Sequence, residues 1–295
     1  MKKLLLLFII LLNINLVRSQ TPGCTDSTAF NYDPNANTDD GSCCYTSSSI
    51  SLISNDIDGE AAGDQCGYSV SMSDDGNIMA VGANYNAGNG AGAGHVRIYE
   101  NINGTWSQIG QDIDGEAQAS ANLSGWSVSL SSDGNIVAIG APMNAGNGYG
   151  AGHIRVYEYN GSAWIQIGQD IDGLAPGDEI GNSISLSNDG YTVASGSPWG
   201  TNTSGLVRIY NYDGSSWNQL GQDIVGEAPN DQSGNSVSLS SDGNTLAIGA
   251  YYNSGNGGHS GHVRIYNWNG SSWNQLGQDI DGEAAGDQSG YSVSL

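Results

Sequence analysis

The chain has 295 residues, 30 acidic against 7 basic side chains, and a formal charge of −23 at pH 7. An acidic surface of this size repels nucleic acid and anionic lipid, so neither is expected as a partner; it attracts divalent cations and keeps the protein soluble. The length suffices to bury a large core.

Residues 1–19 read as a secretory signal peptide. Lys2 and Lys3 precede an apolar run from Leu4 to Leu12, too short for a spanning helix, which needs about 20 apolar residues. Cleavage is expected near Ser19 or Gln20, and no later segment is apolar enough to span a membrane. The expected location is secreted or cell-surface. Arg97, Arg155, Arg208 and Arg264 are then the only cationic side chains left besides histidine.

Residues 20–45 form a small module rich in Cys, Asp and Asn. An even number of cysteines in an exported chain suggests disulfides. Cys24, Cys43, Cys44 and Cys66 allow three pairings. The favoured one joins Cys24 to Cys43 and uses Cys44–Cys66 to staple the module to the first repeat. Asp33, Asn35, Asn37 and Asp39 are spaced by two, as early ligands of a calcium loop are. The glycine and glutamate that complete such a loop are missing. The competing reading is a disulfide-closed turn with solvated polar groups.

Residues 46–295 repeat a unit of about 56 residues, the mark of a stacked repeat architecture. Gly-x-Ser-x-Ser recurs at Gly67, Gly125, Gly181, Gly234 and Gly290, and an Asp-Gly pair follows at Asp75, Asp133, Asp189 and Asp242. The second unit shows the pattern. Ser127 to Ser131 alternates apolar and polar, Asp133-Gly134 supplies a tight turn, and Ile136 to Ala141 runs apolar as a strand covered on both faces does. A Gly/Asn-rich loop follows. His153 to Glu158 is the third strand, Asn160-Gly161 a second tight turn, and Ala163 to Ile171 the fourth strand. The predicted fold is all-β, a propeller of four-stranded antiparallel blades with four complete units. The last unit stops at Leu295 in mid-strand, so the chain is expected to be part of a longer propeller. Trp106, Trp164, Trp217 and Trp273 are expected to pack between neighbouring blades.

The topology puts both tight turns of every blade on one face. The other face carries the long loops, Gly/Asn-rich or acidic, and loops on a rigid scaffold are where binding concentrates. The candidate ligand residues are Asp58, Glu60, Asp64, Asp114, Glu116, Asp172, Asp178, Glu227 and Asp231.

The units resemble FG-GAP repeats, the blades of integrin-α-type propellers. The likeness rests on Gly125-Trp-Ser-Val-Ser-Leu, Asp133-Gly-Asn-Ile-Val-Ala-Ile-Gly-Ala-Pro142 and Gly152-His-Ile-Arg-Val-Tyr157. It implies adhesion or extracellular ligand binding. Integrin-type blades often carry a calcium loop at the first turn, but here only one or two carboxylates remain, which a plain hairpin turn explains. Residues 24–43 are similar to thrombospondin type 3 calcium repeats, which implies calcium there.

His95, His153 and His262 occupy equivalent slots on separate blades, with Leu206 in the third, and are read as structural. The four arginines are expected to pair with carboxylates or stack on the blade tryptophans. No catalytic set emerges. The leading expectation is a non-enzymatic propeller for adhesion or binding of an extracellular protein or glycan, calcium-assisted. The alternatives are the propeller part of a hydrolase or lyase, and a structural spacer of the cell surface.

Overall fold

The computed structural model describes residues 21–29, 31–43, 56–117, 121–200 and 203–295. The signal peptide, Cys44 and the start of the linker lie outside them. The chain divides into two units, 1–53 and 54–295.

In the first unit, Pro22–Gly23 pairs in parallel with Thr38–Asp39. A disulfide joins Cys24 to Cys43 across a Cα–Cα distance of 4.7 Å, as expected. Cys66, in the second unit, is a free thiol, and the expected Cys44–Cys66 staple involves Cys44, which lies outside the described residues. Cys66 sits next to its own loop, with Sγ 4.0 Å from the Ile57 carbonyl oxygen.

The second unit is built from four antiparallel sheets, each a run of strands in chain order. In blade 2, Ser127–Leu130 pairs with Ile136–Ala141, which pairs with His153–Tyr159, whose far edge takes Trp164–Gln166. Blades 1, 3 and 4 repeat this from Cys66–Met72, Ser183–Leu186 and Ser236–Leu239. The described residues contain no helix. The alternation read in the sequence becomes burial: Val128 and Leu130 are buried between half-buried serines, and Ile136–Ala141 is buried throughout.

The expected continuous fourth strand is broken. Trp164–Gln166 and Ile171–Asp172 both pair with His153–Tyr159, separated by a detour through residues 167–170. The reason lies in the next blade. The Trp217 indole donates from Nε1 to the Ile167 carbonyl at 2.9 Å and packs on Gly168, whose φ is +71°. A Cβ at Gly168 would come within 2.7 Å of the indole ring. The break is a socket for the neighbour's tryptophan, and Trp164 and Trp273 are received in the same way.

The core therefore lies between blades. One cluster joins Val96, Ile98 and Ile113 of blade 1 to Val128, Ile139 and Trp164 of blade 2. Equivalent clusters join blade 2 to 3 and blade 3 to 4. Polar latches back them up. Ser127 Oγ donates to the Gly181 carbonyl at 2.7 Å, while Ser129 Oγ accepts from Leu186 N at 3.0 Å. The side-chain amide of Gln169 docks on Trp217, donating to its carbonyl at 2.8 Å and accepting from its N–H at 3.1 Å. The outer faces of the array are open: Val70 is 62% exposed where its counterpart Val128 is 9%, and Ile280 is 56% exposed where Ile171 is 4%.

Candidate functional site on the long-loop face

The tight-turn face is chemically closed. Asp133 Oδ1 accepts from Ser131 Oγ at 2.7 Å and Asn135 N at 3.0 Å, while Ser131 Oγ accepts from Ile136 N. Burial alone would raise the Asp133 pKa, but these hydrogen bonds outweigh it and hold the carboxyl below its usual range. Neighbouring turns are tied into a chain, from Asp74 N to Ser132 O, Ser132 N to Asn188 O and Asn188 N to Ser241 O, each 2.9 Å. A recess of about 830 Å³ opens here beside Tyr159 and Tyr191, but two of its carboxylates, Asp133 and Asp189, are committed to the turns.

On the long-loop face the acidic residues split into three groups. Asp64, Asp178 and Asp231 close their own loops: Asp231 Oδ2 accepts from Ala228 N at 2.8 Å and Asn253 Nδ2 at 3.1 Å, and Asp64 and Asp178 bind backbone N–H groups likewise. Asp58, Asp114 and Asp172 are exposed. The Asp172 carboxyl is nonetheless partly desolvated, and this, then the nearby Asp170 and Glu116, raises its pKa.

Glu60, Glu116 and Glu227 each meet a histidine and an aspartate. The trios are Glu60–His95–Asp112, Glu116–His153–Asp170 and Glu227–His262–Asp279, with ligand atoms within 4.8 Å of one another. His153 Nδ1 lies 3.6 Å from Asp170 Oδ2, and His262 Nδ1 3.5 Å from Asp279 Oδ2. Burial, helped by Arg97, Arg155 and Arg264 respectively, lowers all three histidine pKa values and favours neutral rings. Sequence reasoning placed the histidines on separate blades but missed that each has its own carboxylates. The signal was present: the third unit has Leu174 in the glutamate slot and Leu206 in the histidine slot. The two residues disappear together.

The arginines pair in two ways. Arg97 binds Asp112 through Nε and Nη2 at 3.0 and 2.9 Å and also grips Glu60, while Arg208 binds Asp223 with the same fork. Arg155 and Arg264 instead donate to the Asp114 and Val225 carbonyls and lie over Tyr157 and Tyr266. The aromatic partner is the strand tyrosine rather than the blade tryptophan.

In the N-terminal unit, Asp33 Oδ1 accepts from Asn35 N, Asn37 Oδ1 from Thr21 N, and Asp39 Oδ1 from Gly41 N, at 2.8 to 3.0 Å. The Asp33 and Asp39 bonds are local turn bonds and the Asn37 bond ties the loop to Thr21; they still leave carboxylate oxygens able to accept further contacts.

The feature that no repeat rule foretells is a pocket of about 450 Å³ among the long loops of blades 2 to 4. Trp126, Trp199 and Tyr251 supply its aromatic surface, with Asn182, Gln232 and Asn235 as its carboxamides. Glu179 is the single carboxylate in the lining, and burial raises its pKa. Trp199 is 46% exposed. Glu179 and Gln232 have φ of +52° and +53°, in the left-handed turn that precedes each Gly-x-Ser segment.

Fold and repeat make this chain a β-propeller. Residues 226–266, which lead into and form the first three strands of the fourth blade, match the FG-GAP repeat. No curated protein matches its sequence. Among solved structures it is similar to a putative 6-phosphogluconolactonase from Bacteroides uniformis ATCC 8492, at 14% identity over 72% of this chain and 54% of that one, with a TM-score of 0.47. The periplasmic gluconolactonase PpgL of Pseudomonas aeruginosa gives 17% identity, 72% and 56% coverage and a TM-score of 0.48. TolB from Acinetobacter baumannii gives 18%, 70%, 42% and 0.41. The chain spans about half the length of the solved structures it matches.

Proposed function

We propose that the protein is an exported, non-enzymatic propeller that binds an extracellular glycan, in adhesion or capture, through its long-loop face. The observation that carries this reading is the pocket of Trp126, Trp199 and Tyr251 with three carboxamides. Flat aromatic rings suit the C–H faces of sugar rings, and carboxamides offer a donor and an acceptor to neighbouring hydroxyls. The chain's charge of −23 opposes uronate or sulfated glycans, so the ligand class is neutral. The signal-peptide pattern of residues 1–19 and the Cys24–Cys43 bond support an oxidising, extracellular setting.

A hydrolase reading is less well supported, because glycoside hydrolysis uses two carboxyl groups and this pocket is lined by one. A spacer would have no saturable ligand. The test is depletion of the protein from solution by insoluble neutral polysaccharides, followed by tryptophan-fluorescence titration with soluble oligosaccharides. Both are run with and without calcium, since Asp33, Asn35, Asn37 and Asp39 keep the spacing of calcium ligands. Saturable binding lost in Trp199→Ala supports the proposal; no saturable binding, or sugar turnover by the wild type, contradicts it.

A further inference from the structure

We propose that Glu116, His153 and Asp170 form a binding site for one divalent transition-metal ion, with weaker copies of the site in blades 1 and 4. Nothing in the glycan reading requires this site, and it stands or falls separately.

The His153 side chain is 2% exposed, and its Nδ1 has no hydrogen-bond partner although it faces Asp170. A separation of 3.6 Å is too long for a hydrogen bond. It is the separation a shared ion would set: two ligand atoms each about 2.1 Å from a tetrahedral zinc lie about 3.4 Å apart. His95 repeats the pattern, with Nδ1 buried, unpartnered and 3.8 Å from both Glu60 and Asp112.

The carboxylates are held from behind. Gln166 donates to Asp170 Oδ1 at 2.6 Å, and Asn144 donates to Glu116 Oε2 at 3.0 Å. Such outer partners orient metal ligands. In blade 1, Arg97 grips both carboxylates and competes with a cation; in blade 2, Arg155 donates instead to the Asp114 carbonyl. That difference ranks the blade 2 site above blade 1, and in blade 4 Arg264 Nη1 lies 3.9 Å from Glu227 and the unpartnered ring atom of His262 is Nε2 rather than Nδ1, so blade 2 ranks first.

Blade 3 supplies an internal control. Leu174 and Leu206 replace glutamate and histidine together, while Asp223 remains and binds Arg208. A purely structural histidine would not require the glutamate to vanish with it; a shared ligand set would. One imidazole and two carboxylates favour zinc or a similar borderline ion over calcium, which prefers six to eight oxygen ligands. Three protein ligands leave a fourth position open.

The experiment uses the full chain and zinc alone as the probe, with calcium as the control and cobalt(II) as a spectroscopic substitute. Equilibrium dialysis with metal analysis compares wild type with E116L/H153L, which copies residues blade 3 already accommodates, and with D170N; circular dichroism verifies folding. The expected result is zinc binding by the wild type that excess calcium does not displace. Visible absorption of tetrahedral cobalt is expected too. Both variants should weaken the tightest class at least tenfold, and E116L/H153L should lose about one equivalent. Absent zinc binding, displacement by calcium, or an unchanged tightest class in both variants would overturn the proposal.

Discussion

At the scale of single residues, the serines of Gly-x-Ser-x-Ser are joints between blades. Ser127→Ala removes one neutral hydrogen bond to the Gly181 carbonyl and is expected to cost about 1 kcal/mol in denaturant unfolding. Gly140→Ala is expected to cost more, about 1–3 kcal/mol, because its methyl would collide with that same carbonyl. Asp223 gives a pH-dependent counterpart. The hydrogen bonds from Arg208 hold its folded pKa below the unfolded value, so its stabilisation is present above pH of about 4 and is lost as pH falls through the folded value. Asp223→Asn is therefore expected to cost about 2 kcal/mol at pH 7, discounted for the partial exposure of the carboxylate, and less at pH 2. Unfolding curves at the two pH values check this.

At the scale of elements, Trp164, Trp217 and Trp273 each belong to one blade and are received by a break in the previous blade's last strand. Trp217→Ala is expected to cost about 3–5 kcal/mol and to raise hydrogen exchange in blades 2 and 3 together. Protection lost in blade 3 alone would contradict a shared interior. The strands themselves were legible, because Val128 and Leu130 alternate with serine and Ile136–Ala141 runs unbroken. The interrupted fourth strand was not. Its cause is an indole about 50 residues away, and apolar periodicity reports burial within a strand rather than the shape of what buries it. The same distance hid the trios: Glu116 and His153 meet only once two blades are stacked. Leu174 and Leu206 carried the one clue available without coordinates.

At the scale of the whole molecule, near-identical blades make near-identical loops, so a single site has to come from where the copies differ. Position Trp126 is Asn182 and Asn235 in the next two units, and Trp199 opens the shortened loop of blade 3. These departures converge on the pocket at the long-loop face, whereas the acidic residues expected to contact a ligand are divided among loop closure, the histidine trios and open surface. The acidity still contributes, by setting which glycans approach. The most direct measurement is glycan-array binding by the full chain beside Trp199→Ala and, from the opposite face, Tyr191→Ala. The account predicts a neutral-glycan profile for the wild type that Tyr191→Ala keeps and Trp199→Ala loses. An empty array, or loss caused by the Tyr191 change alone, would contradict it.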